Sequence, residues 1–467
     1  MLYRTVQTYW PIFLKEQERV GKSIPHFIKD EFDDFLKCGL PEFGFVRTYC
    51  YQCRDSGIVA FSCKRRGFCP SCCARRMNDE AAHIVENILP EVAVRQWVLS
   101  FPYKLRFKMA FDQKLTSKIL NIFIQSLSRY YKKRAKKIGI KKSNIGSITF
   151  IQRFGSALNL NIHFHTLVAD GVFSEEDHKF KRLPEPTQDE LRALAEKIYQ
   201  KVTKLIEKKY SDDQIEFLEE NHLAHIAENS ITHKAQYGDR KGNGLKRYGL
   251  KNLNRHQSQE DPYSVNIEGF SLNAKVWVGG RDRQKLEKLI RYTARGPIAT
   301  ERLSESFPDK LIYKMKSRWR DGTTHVSFSY LDFIARLVAL IPPPRMNLIR
   351  YHGVFAPNYK KRKIVVPQSA QKQKDPETDI LCDLKAKRER MRWSDMLKRT
   401  FEIDVTVCKK CSGRVEQIAV IKDRVVAQAI LDSLNIASIF RPLDVILDRG
   451  PPNDREVDYE YSQVEVW

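Results

Sequence analysis

Three sets of residues have types and spacings that do chemistry. His163 and His165 flank Phe164 within Asn159–Phe173, where Leu160, Ile162, Phe164 and Leu167 alternate as in a strand. Residues two apart on a strand share a face, about 6.5–7 Å apart. Two imidazoles so placed can hold one divalent metal ion, while Phe164 turns to the core. Histidines that merely face solvent are the competing reading. The second set is cysteine: Cys50 and Cys53 form one C-x-x-C knuckle, and Cys69 and Cys72 form another. Their separation fits a zinc ribbon. Four thiolates fill tetrahedral zinc and leave no open position, so the predicted site is structural. Cys63 is an alternative ligand there; Cys38 and Cys73 read as packed side chains. Cys408 and Cys411 form a third knuckle, half a site that Cys382 or a histidine could complete. The third set is Tyr292 with Arg291 and Arg295. A tyrosine hydroxyl becomes a useful nucleophile when cations and a metal-polarised electrophile assist it. From its own segment alone, an interfacial tyrosine is the simpler reading.

The elements that must position these groups follow from local pattern. Ser147–Gln152 reads as a strand that turns through Phe154-Gly155-Ser156 and returns as the histidine strand. That hairpin brings Gln152 beside the histidines, where an amide oxygen is a third metal ligand suited to magnesium or manganese. Asp282 caps a helix that Gly296-Pro297 ends, with Leu286, Leu289 and Ile290 as its buried stripe. Tyr292 falls near the end of that helix. Arg95–Phe101 reads as a strand, and Asp112 caps a long helix running to about Lys137. Its end mixes Tyr130 and Tyr131 with lysines and arginines, a composition that suits single-stranded DNA as well as a solvated helix terminus. Thr187–Glu190 is a capping box. Residues 211–262 are polar with little periodicity and read as a partly ordered insertion. Its His222, His225, His233 and His256 are expected in solvent.

The chain has 467 residues, 81 Lys+Arg against 57 Asp+Glu, and a formal net charge of +24. That excess favours a polyanionic partner, most simply nucleic acid. No signal peptide is evident, and the most apolar stretch, Phe333–Pro344, is too short to span a bilayer. A cytoplasmic protein with no membrane partner is expected, in which cysteines serve metal more than disulfides. The predicted class is α+β. The organisation runs as a helical segment (1–45), a zinc ribbon (46–92), a central domain (93–305), a helical and strand extension (306–366), a linker (367–392), a C-terminal module (393–448) and an acidic tail (449–467).

Several stretches together resemble one family. They are F-S-C-K-R-R-G-F-C-P-S-C (61–72), R-Q-W-V-L-S (95–100), Q-R-F-G-S-A-L-N-L-N-I-H-F-H (152–165), D-G-V-F (170–173) and G-F-S-L-N-A (269–274). R-Y-T-A-R (291–295), E-R-L (301–303), P-P-P-R (342–345), R-Y-H-G-V-F-A-P (350–357) and I-D-V-T-V-C-K-K-C (403–411) complete the set. In this order they resemble the bacterial transposases of the insertion-sequence-91 family, including the common-region elements, within the HUH endonucleases. The resemblance implies an HUH core, an antiparallel sheet with packed helices. It implies a metal-dependent endonuclease that cuts and rejoins single-stranded DNA at element ends through a 5′-phosphotyrosine, in rolling-circle transposition. By position, His163 and His165 become ligands of catalytic magnesium or manganese, Gln152 their third partner, and Tyr292 the nucleophile. Arg295 or Arg291 then contacts the phosphate. Members with two tyrosines space them four residues apart; here those positions hold Lys288 and Gly296, so the chain resembles a one-tyrosine member. A bacterial, nucleoid-associated protein is implied, and an oligomer is compatible with it. The rival readings are a plasmid-type replication initiator or relaxase, and a non-catalytic zinc-dependent DNA-binding protein.

Overall fold

The computed structural model describes residues 1–209, 222–249, 261–306, 310–319, 321–367 and 393–434. The linker beyond residue 367 with Cys382, His256 and the acidic tail lie outside the described residues.

Strand-forming runs of β-branched and aromatic residues build a seven-stranded antiparallel sheet at the centre. Its order is Ser264–Ile267, Phe270–Asn273, Val94–Ser100, Leu160–Ala169, Gly146–Phe154 and Ile349–Gly353, with Trp277–Val278 paired onto the Val94 strand. The expected hairpin is present: Gln152 pairs with His163 and Phe150 with His165. On the other side Ser100 pairs with His163 and Val98 with His165.

Both faces of the sheet are covered, which is why the histidine strand is buried almost throughout. One face carries Trp97, Leu99, Ile162 and Phe164 against Leu115, Ile119, Phe123 and Leu127 of the Gln113–Lys137 helix. Phe164 meets Phe101 edge-on at 5.1 Å between centroids. The other face carries both histidines. There Phe150 and Leu167 pack with Ala81, Ile84 and Val85 of the Pro70–Asn87 helix and with Leu286, Leu289 and Ile290 of the Arg283–Ala294 helix. Each of those last three side chains contributes about 1.5–3 kcal/mol by burial, so this helix, which carries Tyr292, is fixed against the histidine face.

The local signals behave as expected. Asp112 accepts a hydrogen bond from the Leu115 amide at 2.7 Å, Asp282 one from Lys285 at 3.0 Å, and Thr187 and Glu190 bond reciprocally. The expected loose insertion is a correction in part. Residues 222–249 include a helix, His222–Ile231, and a strand, Lys246–Tyr248, that pairs with His325–Ser329. His233 is consequently buried rather than in solvent, its ring edge-on to Trp319.

At the N-terminus, Leu2–Arg19 packs on the Tyr330–Leu340 helix and on His26–Lys37, with Trp10 stacked on Phe32 at 3.9 Å. The hairpin Phe45–Cys50 and Asp55–Ala60 gains a third strand from far along the chain, Val415–Ile421. Among the described residues no helix is long and apolar enough to cross a membrane.

Candidate active site and metal centres

His163 and His165 are each 4% exposed, and their Nε2 atoms face one another at 2.9 Å. The other ring nitrogens are tethered. His163 Nδ1 lies 2.9 Å from the Asn161 carbonyl and so carries a proton, leaving Nε2 with its lone pair. His165 Nδ1 accepts from the Gln96 side-chain nitrogen at 2.8 Å, so its Nε2 carries a proton, shared with His163, that a metal ion would displace. Burial, with Arg106 and Arg295 nearby, pushes His163 down to about 4 despite the Asn161 bond. Burial first, then His163 and Arg295, push His165 well below the ordinary imidazole value. Both rings are therefore neutral near pH 7, the form that binds metal. Two converging imidazole nitrogens with fixed outer partners fit a divalent ion. Among the described residues, only cysteines gather three or more His, Cys, Asp or Glu ligand atoms in one place.

Tyr292 is in the same centre and the same chain. Its ring stands perpendicular to that of His165, 6.1 Å between centroids. Arg295 lies 5.0 Å from the tyrosine centroid and the Lys316 ammonium 4.4 Å. Gln152 sits beside His163, but its amide nitrogen donates to the Thr293 and Tyr292 carbonyls at 2.7 and 3.3 Å. It thus ties the end of the tyrosine helix to the sheet. The start of that helix is tied too: Arg283 donates to the carbonyls of Val85, Leu89 and Pro90. At the far end, a Cβ on Gly296 would lie 2.6 Å from that of Cys73, so glycine is needed where this helix abuts the zinc-binding region.

The cysteines form two tetrads, and the expected grouping is corrected. Cys69 and Cys72 gather with Cys38 and Cys63; Cys50 and Cys53 gather with Cys408 and Cys411. The reason is hairpin geometry. Cys50 and Cys53 sit at the tip of a hairpin whose strands are six residues long, about 20 Å from its base. Cys63 follows the base, where the Phe35–Cys38 chain end and the start of the Pro70 helix meet it. The Val415–Ile421 strand, paired along the hairpin's free edge, delivers Cys408 and Cys411 to the tip. Sulfur separations are 3.4–3.8 Å in the first tetrad and 3.5 Å for two pairs in the second. Zinc at about 2.3 Å from each sulfur requires tetrahedral edges of about 3.8 Å, so both sets fit. Cys38, read as a packed side chain, is a member of the first; the missing half of the Cys408–Cys411 knuckle is Cys50 and Cys53. Cys73 packs, buried near the Gly67 carbonyl.

Gln96 and Lys316 were not singled out from sequence. Strand parity offers a signal for Gln96, which lies on the face of His165 once Val98 is placed opposite it. Lys316 has none.

Two family descriptions match the chain. "Putative transposase" covers residues 146–363, which includes the histidine pair and Tyr292. "Transposase zinc-binding domain" of the insertion-sequence-91 type covers residues 5–101, which includes the whole first tetrad and half of the second. Fold, cysteines and matches thus define a DNA transposase with a zinc-binding N-terminal region. The chain belongs to the insertion-sequence-91 family of transposases. No curated protein and no solved structure matches it.

Proposed function

We propose that this transposase cuts and rejoins single-stranded DNA through a covalent bond between Tyr292 and a 5′-phosphate, and that this chemistry drives rolling-circle-type transposition. The observation that carries the reading is the packing of the Tyr292 ring against His165, whose Nε2 faces that of His163. His163 and His165, with Gln152 as a candidate third partner, would hold magnesium or manganese, which would supply positive charge to a bound phosphodiester. The other contributions come from the chain. Tyr292 Oη attacks phosphorus in line and loses its proton to water. An Oη–P bond forms, the bond from phosphorus to O3′ breaks, and a free 3′-hydroxyl leaves. Arg295 and Lys316, beside the ring, offset charge on the phosphate. Attack of a 3′-hydroxyl on the phosphotyrosine reverses the step without ATP, because one phosphoester is exchanged for another. The helix has one tyrosine near this centre, with Lys288 and Gly296 at the four-residue positions, so each centre holds one covalent strand at a time. We read the central sheet as the HUH core and the cysteine-bearing hairpin as a zinc-ribbon module that grips DNA through flanking arginines.

The test mixes protein, manganese and single-stranded DNA from the element ends, followed by a denaturing gel. A metal-dependent protein–DNA adduct is expected, lost in Tyr292→Phe and in His163→Ala/His165→Ala. An adduct that survives Tyr292→Phe overturns the assignment of the nucleophile.

A further inference from the structure

Behind the nuclease centre lies a cavity of about 340 Å³. It opens between the zinc-binding region, the end of the Gly146–Phe154 strand and the end of the tyrosine helix. Arg66, Arg76, Arg153 and Arg295 line it, with Glu80 as the one lining carboxylate. Arg66 and Arg76 are anchored to backbone carbonyls of Met346 and Lys64 at 2.7 and 2.9 Å. Arg153 is different. It is 6% exposed, and its Nε and Nη1 have no hydrogen-bond partner. The Arg295 Nε is likewise buried and unpartnered. A buried guanidinium without an acceptor is costly, and burial lowers Arg153 to about 10. Four arginines lining one space are complementary to an anion, with planar donors that match phosphate oxygens. Beside polar Gln152, Thr293 and Asn347, the rest of the wall includes apolar Phe150 and Leu348, which phosphate alone does not require. Arg295 joins cavity and centre: it stacks over Phe154 at 5.3 Å and over Tyr292 at 5.0 Å.

We propose that this cavity holds one unstacked nucleotide of the DNA strand beside the scissile phosphate, its phosphate on the arginines and its base against the Phe150 wall. Unstacked bases bind apolar and aromatic walls readily, and the volume lies in the range of small-ligand sites. The proposal rests on single-stranded DNA as substrate. Its test omits divalent metal, so it reads binding and leaves cleavage aside; the adduct assay reads cleavage separately.

The experiment uses the full chain with oligothymidylate. Arg153→Met is expected to weaken binding about tenfold, by fluorescence anisotropy; unchanged affinity with a folded variant overturns the proposal. Wild-type protein provides the second arm, independent of how that variant folds. Oligothymidylate carrying 5-iodouracil is irradiated and the attachment mapped by mass spectrometry. Attachment at Phe150 or Phe154, competed by thymidine 5′-monophosphate and far less by inorganic phosphate, is expected. Attachment only at the exposed surface, or equal competition by inorganic phosphate, overturns it.

Discussion

The two cysteine tetrads have the same ligands and opposite reach. Cys38 and Cys72 are 34 positions apart and buried, with Cys63 and Cys69 between them. Cys50 and Cys411 are 361 positions apart, and Cys53 is exposed. The first tetrad joins a helix end, a hairpin base and a helix start, so it belongs to the core of the N-terminal region. Its Cys69 caps the Pro70 helix and Cys72 lies in the first turn, where the helix terminus favours thiolate. The three other thiols, Cys38 foremost, hold Cys72 well below the ordinary thiol range. The second tetrad instead fastens a distant module by its edge, in concert with a three-stranded sheet. One metal site builds a domain; the other clasps two ends of the chain together.

The comparison breaks most visibly at Cys72. Cys72→Ser is expected to remove one zinc equivalent and unfold the N-terminal region, because structural zinc supplies about 10–16 kcal/mol. Metal analysis with circular dichroism checks this; a folded protein with one zinc fewer would make the first tetrad dispensable. Cys411→Ser should also remove one zinc equivalent, yet leave the nuclease folded and able to form the DNA adduct. Limited proteolysis should then release residues 393–434, which stay attached in the wild type. Loss of both zinc equivalents would show that the two tetrads are not independent.

The histidine pair sharpens the contrast, since the metal proposed for it would be held by neutral nitrogens. Gln96→Leu removes the partner of His165 Nδ1 and should weaken manganese binding about 10–100-fold, measured by calorimetry, with zinc content unchanged. The smallest effect is that of acid on histidines remote from metal. Burial lowers His233 to about 3 and His352 to about 4. The unfolded chain takes up protons below about pH 6.5 and the folded chain does not. Stability is therefore flat above that pH and falls below it, by about 1 kcal/mol for each histidine by pH 6. Denaturant titrations at pH 7.5 and 6 check the sign.

What was legible in the sequence was local. Asp112, Asp282 and the Thr187–Glu190 box announce their helices, and alternation around Phe164 announces the histidine strand. Tyr292 was singled out through its helix and the family resemblance together. The grouping of cysteines was illegible, because it depends on a strand pairing between Phe45–Cys50 and Val415–Ile421 that no spacing encodes. Knuckles alone suggested the shortest grouping, and the length of the hairpin overrides it. Residues 222–249 carry little periodicity because their order comes from packing on the Tyr330–Leu340 helix and pairing with His325–Ser329. That is also why His233 was misplaced. The second role of Gln152, holding the tyrosine helix by its carbonyls, needs two distant elements in contact before it can be seen.

The central claim is that histidines and tyrosine act together within one chain. Complementation tests it directly. Tyr292→Phe and His163→Ala/His165→Ala proteins are each expected to give no DNA adduct, and their mixture none either, after co-refolding that allows subunits to exchange. Recovery of adduct in the mixture, on the tyrosine-bearing chain, would contradict the claim and place the nucleophile opposite a partner's metal.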